Sequence, residues 1–309
     1  MLPQPISIPS VNKNTAKAII AALFASGGIT RTELARACGV SAMTAGKVVS
    51  AICGAGYASI GTEISECGRR SDFIYPSERF TFLIFDIGER TMSAEIYDAR
   101  DNTRFCYTQP RCEGVDAHTD AAAFVSLVKE QLADSDDRRD FRLTALLSHT
   151  TSISAGALGA RDISVSAKRS DAAAEYVKRA YPTECVAFVG ADFTCDIKLI
   201  AHGEEIYGKS AARRKAGASI TSELDMLSVL SERLTSIFEL LIPDKVVIDS
   251  RSLHLSRRFS SELCERLTER TGLQKEELPE LVTNDGIPFP SRAVIGQLID
   301  IYAEIISAS

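Results

Sequence analysis

The pattern of apolar positions near the start of the chain predicts three short helices. In residues 14–26 the apolar side chains recur at the spacing of an amphipathic helix, and two glycines follow as a stop. Thr30 and Glu33 carry the signature of a capping box, which predicts a second helix over residues 32–38. The next glycine allows a tight turn, after which a serine is placed to cap a third helix, residues 41–55.

Two helices joined by a short turn with glycine are typical of a helix-turn-helix, whose second helix enters the major groove of DNA. Packing of the apolar positions leaves the start of the third helix facing outward. Ser41 is interpreted either as a DNA contact or only as a cap, and Met43 either contacts DNA or packs on the second helix. Lys47 is interpreted as a phosphate contact. The candidate contacts on this helix are Ser41, Ala42, Met43, Thr44 and Lys47.

Two short strand-like runs follow the third helix, at residues 57–60 and 73–75, and a polar loop joins them. The loop contains Arg69 and Arg70, which could reach phosphates or a narrow minor groove. The alternative is a solvated loop whose charges have no role. We interpret the hairpin as a wing and predict a winged helix-turn-helix DNA-binding domain over residues 1–79.

The rest of the chain, residues 80–309, alternates strand-like and helix-like segments as layered α/β folds do. It begins with three strand candidates separated by short turns, which predict an antiparallel meander. The apolar faces of the helices at 221–241 and 291–306 could form a dimer interface or belong to the core. The predicted strands are 80–87, 91–98, 103–109, 143–149, 185–190 and 245–249, and the predicted helices are 117–133, 171–180, 221–241, 256–271 and 291–306.

Composition places the 309-residue chain among globular proteins, with 45% hydrophobic and 25% charged residues. No apolar stretch approaches the roughly 20 residues of a membrane span, and no secretory signal is recognised. The eight cysteines form no C-x-x-C pair and the four histidines are scattered. We therefore expect a cytoplasmic protein with reduced thiols, no membrane contact and no metal site.

Charge is distributed unevenly along the chain. The net charge is -6, yet the residues up to Arg70 include seven basic and three acidic side chains. A small basic domain is thus attached to a larger acidic body, and the basic domain is the one suited to phosphates.

Three segments of the chain resemble regulators of the ROK (repressor, open reading frame, kinase) family. They are "GITRTELARACGVSAMTAGKVVSAICGAGY" (28–57), "GRR" (68–70) and "FLIFDIGERTMSAEIYDA" (82–99). The resemblance implies a winged helix followed by a sugar-kinase-like domain of the actin-like ATPase fold, and it covers most of the chain. We therefore predict an α/β protein with a reduced, ROK-like actin-like ATPase domain.

The same resemblance implies a nucleotide site, but the residues at it depart from the kinase pattern. The phosphate-binding turn corresponds to Asp86 and Gly88, where Glu89 places a carboxylate against a phosphate. The catalytic aspartate corresponds to Asp192, whose flanking asparagines are replaced. The sugar-contacting segment, the cysteine-rich zinc loop and the glycines of the adenosine-binding turn are also missing. We expect a vestigial nucleotide site at Asp86, Gly88 and Asp192, with no cofactor and no metal.

The leading hypothesis is a non-catalytic transcriptional regulator, expected to be a repressor, that binds a palindromic double-stranded DNA operator as a homodimer. The kinase-like domain would serve dimerisation and sense a small-molecule effector, if one exists. One alternative is a carbohydrate kinase of the ROK family. The other is a protein-interaction module that does not bind DNA.

Overall fold

A computed structural model describes residues 2–64, 70–133, 141–149, 153–156, 158, 160, 162–191, 195–206, 222–250, 255–283 and 288–308. The chain divides into two compact units, the first comprising Met1–Arg169 with Val294–Ser309 and the second Ser170–Ala293. The predicted domain boundary after residue 79 lies within the first unit. That boundary separates a predicted DNA-binding segment from the rest of the chain. A division by compactness does not test it, so it stays a prediction.

The first unit begins with three helices, α1 (Lys13–Ser26), α2 (Arg31–Ala37) and α3 (Ala42–Gly54). The Asn12 side chain caps α1, and Gly27 ends it in the left-handed conformation with a φ of 65°. The predicted capping box of Thr30 and Glu33 is present at α2. Each helix therefore begins within about two residues of its predicted start.

Three strands complete this segment, namely β1 (Ile29–Thr30), β2 (Ala58–Ile64) and β3 (Arg70–Pro76). They form an antiparallel sheet in the order β1-β3-β2. The predicted hairpin is thus present, with strands longer than expected because the ladder continues to the Ile64–Arg70 pair. We call α1 to β3, residues 13–76, the head.

The second sheet of the first unit has the order β6-β5-β4-β7-β8. The predicted meander is present in its antiparallel strands β4 to β6, whereas β7 and β8 run parallel to β4. Helix α4 buries Phe124 and Val125 in an apolar cluster with the strands. The elements are β4 (Phe80–Ile87), β5 (Thr91–Asp98), β6 (Thr103–Pro110), α4 (Ala117–Ala133), β7 (Phe141–Ser148) and β8 (Ile163–Lys168).

The second unit has a sheet in the order β11-β10-β9-β12-β13, in which β9, β12 and β13 are parallel. Helices α6 and α7 cover it through an apolar cluster that includes Leu230 and Leu263. The apolar face of α6 is therefore core in this unit. The elements are α5 (Arg169–Ala180), β9 (Cys185–Ala191), β10 (Cys195–Ala201), β11 (Glu204–Glu205), α6 (Glu223–Phe238), β12 (Lys245–Ser250), α7 (Phe259–Thr271) and β13 (Glu280–Thr283), with one 3-10 turn, Lys275–Glu277.

The last helix, α8 (Phe289–Ile306), ends in the first unit, where it helps to fasten the head to the sheet. Rings from all three parts meet there, since Phe80 of β4 lies 4.8 Å from Phe24 of α1 and 5.0 Å from Tyr302 of α8, centroid to centroid. The buried Tyr302 hydroxyl donates to the Phe141 carbonyl at 2.7 Å. Burial of several rings with their one hydroxyl satisfied stabilises this junction.

Among the described residues, no single helix is long and apolar enough to cross a bilayer. Helices α2 and α3 pass that test of length and composition only when they are taken together, and they are bent by 114°.

Candidate nucleic-acid interface and nucleotide turn

The first turn of α3 is exposed and held in place by its own cap. The Ser41 hydroxyl accepts a hydrogen bond from the Thr44 amide at 3.1 Å and lies 2.9 Å from the Thr44 hydroxyl. Ser41 therefore caps α3 and is also exposed, and its contact with DNA stays a prediction. Ala42 is exposed as well, and Met43 is 74% exposed, so its side chain does not pack on α2.

The opposite face of α3 fixes this orientation. Ala45, Val48, Val49 and Ile52 are all buried, as their helical spacing requires of one face. Lys47 and Ser50 lie on the other face and are exposed. The structure therefore brings the five predicted contact positions of α3 onto a surface open to a ligand, with Thr44 partly buried among them.

Arg31 is a candidate that the sequence interpretation counted only as a charge. It is exposed at the start of α2, and its stem crosses α3 at Gly46, where an added Cβ would lie 3.7 Å from the Arg31 Cδ. An open groove of about 630 Å³ lies beside it. We call this the α3 groove, and its lining residues are Ile8, Pro9, Ser10, Arg31, Ala42, Met43, Gly46, Lys47, Ser50 and Ala51.

Four basic residues of the head fall into two groups. Lys13 and Lys17 of α1 form ion pairs with Glu304 of α8, at 3.1 and 2.8 Å. Hydrogen bonds from Lys17 and Lys13 lower the pKa of the Glu304 carboxyl. Within the described part of the chain, neither Arg31 nor Lys47 forms an ion pair. Two of the charges in the sequence count are thus neutralised, and two on the α3 side are available.

The predicted wing contacts cannot be located in the same way. Arg69 lies outside the described residues, and Arg70 is described only as the first residue of β3. Both stay predictions.

The turn between β4 and β5 corresponds to the phosphate-binding turn implied by the resemblance. The Gly88 amide donates to the Thr91 carbonyl at 2.9 Å, so it is not available to a phosphate. A Cβ on Gly88 would lie 2.8 Å from that carbonyl oxygen, which explains the glycine by close backbone approach.

Neighbouring side chains occupy the other polar groups of this turn. Arg111 donates to the Gly88 carbonyl at 3.3 Å and pairs with the buried Asp120 at 3.0 Å. The exposed Glu89 carboxylate lies 2.5 Å from Nε2 of His149. The turn is therefore tied by an arginine on one side and by a histidine on the other.

Asp86 lies one residue before the end of β4, where the parallel strands β7 and β8 also end. This common edge brings the Arg169 guanidinium to 3.9 Å from the Asp86 carboxylate, and both side chains are largely buried. Burial raises the pKa of the nearby Glu95 carboxyl, against a hydrogen bond from Tyr97 and the charge of Arg169. Asp192, the predicted catalytic position, lies outside the described residues.

No cluster of three or more potential metal ligands occurs among the described residues. Six described cysteines are free, namely Cys38, Cys53, Cys106, Cys112, Cys185 and Cys264. Burial is the largest cause of the raised pKa of five of these thiols, while at Cys112 it is the hydrogen bond with Asp120. A raised pKa lowers the thiolate fraction, so these cysteines have little nucleophilic character.

No protein-family model matches the chain, and no curated protein matches it. Among solved structures, the chain is similar to a ROK family transcriptional regulator described as a homologue of the E. coli MLC protein. The two agree with a TM-score of 0.60 at 12% sequence identity, over 95% of this chain and 98% of that one. The fold is that of the ROK family.

Other ROK proteins match a smaller part of the chain. A ROK hexokinase from Thermus thermophilus has a TM-score of 0.41 at 11% identity, over 70% of this chain and 98% of that one. A ROK family protein from Streptococcus pneumoniae, solved in complex with sucrose, has a TM-score of 0.45 at 11% identity, over 71% and 98%.

The resemblance to the ROK family and the mixed α/β class are therefore confirmed at the level of the fold. Within this ROK fold, the surface of α3 leaves its charged and polar groups open. In the turn at Gly88, by contrast, the Gly88 amide and carbonyl and the Glu89 carboxylate bond to other groups of the chain.

Proposed function

We propose that the head is a winged helix-turn-helix and that the protein is a non-catalytic transcriptional regulator that binds duplex DNA. The observation that carries this proposal is the exposed, cationic face of α3 with Ser41, Ala42, Met43, Thr44 and Lys47. Helix α3 follows α2 at a sharp bend of 114°, and a β2–β3 hairpin lies after it. This order of elements is the one in which a recognition helix enters the major groove.

The state of the nucleotide turn supports a non-catalytic role. Phosphoryl transfer needs backbone amides that are free to donate to the phosphate. It also needs charged groups that are not already paired within the protein. Here the Gly88 amide bonds to the chain itself, and Asp86 faces Arg169. We therefore propose that the ROK-like body serves dimerisation and the sensing of a small-molecule effector, and that the regulator is a repressor at a palindromic operator.

The test of DNA binding uses the full chain and a pool of random duplexes at several salt concentrations. We expect the logarithm of the binding constant to fall linearly with the logarithm of salt, by about 0.9 for each phosphate neutralised. Lys47→Ala should reduce this slope by about one and weaken all sequences alike. Lys129→Ala is the control and should change nothing, because it removes a partly exposed lysine of α4 that is paired with Asp162.

The selected sequences give a second measurement. Met43→Ala should alter the base preference at one position, since it removes an exposed apolar side chain rather than a charge. Replacing Arg69 and Arg70 together by alanine should also weaken binding. Absence of any duplex binding at about 50 mM salt would refute the proposal, because electrostatic attraction is strongest there.

The kinase alternative is favoured by one observation only, the preserved Asp86 and Gly88 at the end of β4. We expect Mg-ATP to leave the thermal unfolding midpoint unchanged and to transfer no phosphate to hexoses. A saturable rise of the midpoint with Mg-ATP that Asp86→Asn abolishes would favour the kinase, because a ligand that binds the folded state raises its stability.

A further inference from the structure

The α3 groove has a composition that selects an anionic occupant. Its ten lining residues include two cations, Arg31 and Lys47, and two serines that can donate hydrogen bonds, Ser10 and Ser50. None of these lining residues is acidic, although the chain as a whole carries a net charge of -6. A phosphate oxygen accepts from both guanidinium and ammonium groups, so this surface suits a phosphodiester chain.

The outer wall of the α3 groove is the segment before α1, which the chain holds in a defined place. The Tyr57 hydroxyl accepts from the Gln4 amide at 2.8 Å and lies 3.1 Å from the Gln4 carbonyl. The Ile6 amide donates to the Ile306 carbonyl at 2.8 Å. A turn from Ile8 to Val11 follows, with Ser10 at a φ of 66°. These bonds set the residues of the turn beside α3.

The inner wall of the α3 groove includes the Arg31 side chain where it lies against Gly46. The Arg31 stem lies within van der Waals distance of where a Cβ on Gly46 would be. Arg31 can therefore cross the surface of α3 and bring its guanidinium to the same groove as Lys47.

We infer that the α3 groove seats one sugar-phosphate strand of the operator, and that Arg31 and Lys47 contact its phosphates while the turn at Ser10 borders the strand. This inference rests on the proposed DNA binding and adds Arg31 and the N-terminal segment to the interface. Binding of a partner protein's acidic peptide in the groove would be a different outcome, and the test below separates the two.

The experiment compares salt slopes of the full-length protein on its selected duplex. Arg31→Ala and Lys47→Ala should each reduce the slope by about one, and the double variant by about two. Arg31→Lys should keep the slope, since a lysine retains the phosphate contact. Arg36→Ala is the matched control, because Arg36 is an exposed arginine on the same helix that does not line the groove.

A second pair of variants tests the wall. Ser10→Asp places a carboxylate in the groove and should weaken duplex binding about tenfold at low salt, because it faces phosphates. Ser7→Asp adds the same charge to an exposed residue outside the groove and should have no effect. Aspartate tolerates the left-handed conformation of Ser10, so the change need not disturb the turn.

The outcomes are distinguishable. If the wild type binds no duplex, the proposed function fails. If Lys47→Ala flattens the slope but Arg31→Ala does not, DNA binding stands and the inference about Arg31 and the groove is wrong. An Arg31→Ala protein that binds more weakly with an unchanged slope would also overturn the phosphate contact. If Arg31→Ala and Ser10→Asp both bind the duplex as tightly as the wild type does, the groove does not seat the DNA strand. Another occupant, such as an acidic peptide, would then have to be considered.

Discussion

The outer face of α3 and the turn between β4 and β5 are both places where polar groups gather at the end of an element. On α3, Met43 and Lys47 face outward without partners among the described residues. At the turn, Gly88 and Glu89 already have partners from the chain itself. A ligand that binds α3 displaces only water, whereas a ligand at the turn must also break internal bonds. The same fold can therefore leave one surface open to a ligand while internal bonds occupy the polar groups of another.

The largest effect should come from removing Arg111, which ties the turn to α4. Asp120 is only 4% exposed, so Arg111→Met leaves a buried carboxylate that keeps the Cys112 amide and thiol as partners but has lost its countercharge. Breaking a buried pair in this way costs about 3 kcal/mol, which urea denaturation would measure. DNA affinity of the folded protein should not change, because Arg111 does not line the α3 groove.

Lys129→Met provides the control for this loss. Its pair with Asp162 is exposed, with 31% and 60% of the side chains accessible, and should contribute less than about 1 kcal/mol. Equal losses of unfolding free energy in the two variants would mean that Arg111 does not stabilise the turn. The contrast between the turn and the outer face of α3 would then be wrong.

A smaller loss is expected from Gly88→Ala. The new Cβ would lie 2.8 Å from the Thr91 carbonyl oxygen, so the backbone must shift, at a cost of about 1–3 kcal/mol. Gly54→Ala makes the same chemical change at the end of α3, where nothing lies within 4 Å. That variant should be more stable by about 0.4–1 kcal/mol. A Gly88→Ala protein as stable as wild type in urea would contradict the tight-turn explanation.

The smallest effect concerns Glu304, whose removal would make Lys13 and Lys17 resemble the unpaired cations of the α3 groove. The pKa of Glu304 is lowered in the folded protein, so its stabilising contribution is present at neutral pH and is lost as the pH falls through that pKa. Between about pH 7 and about pH 3, wild type should therefore lose more stability than Glu304→Gln. Parallel unfolding midpoints across this range would show that the pairs contribute nothing measurable.

Local signals explain how much of the head could be predicted from the sequence. The capping box of Thr30 and Glu33, the cap at Ser41 and the apolar face of α3 each depend on residues within four positions of one another. Hydrogen bonds and helical periodicity act at that range, so the residue types suffice to predict them. The exposed positions of α3 followed directly from its apolar pattern, because a helix that buries one face exposes the opposite face to solvent.

The partners of the charged groups could not be predicted in this way. Lys17 and Glu304 are nearly the whole chain apart, and the sequence count treated that lysine as available. Arg31 and Gly46 lie on different helices, and nothing in their local sequence indicates contact. Whether a charge is neutralised depends on which distant residue comes within about 4 Å, which only the folded chain decides.

The sequence by itself determined where the helices of the head begin and end and which face of α3 is apolar. The tertiary structure decided that Arg31 joins Lys47 in one groove and that Glu304 neutralises Lys13 and Lys17. It also decided that Arg111 bonds to the turn at Gly88 and that Arg169 faces Asp86. The reason is range, since caps and periodicity act between neighbours along the chain, whereas electrostatic pairing acts between neighbours in space.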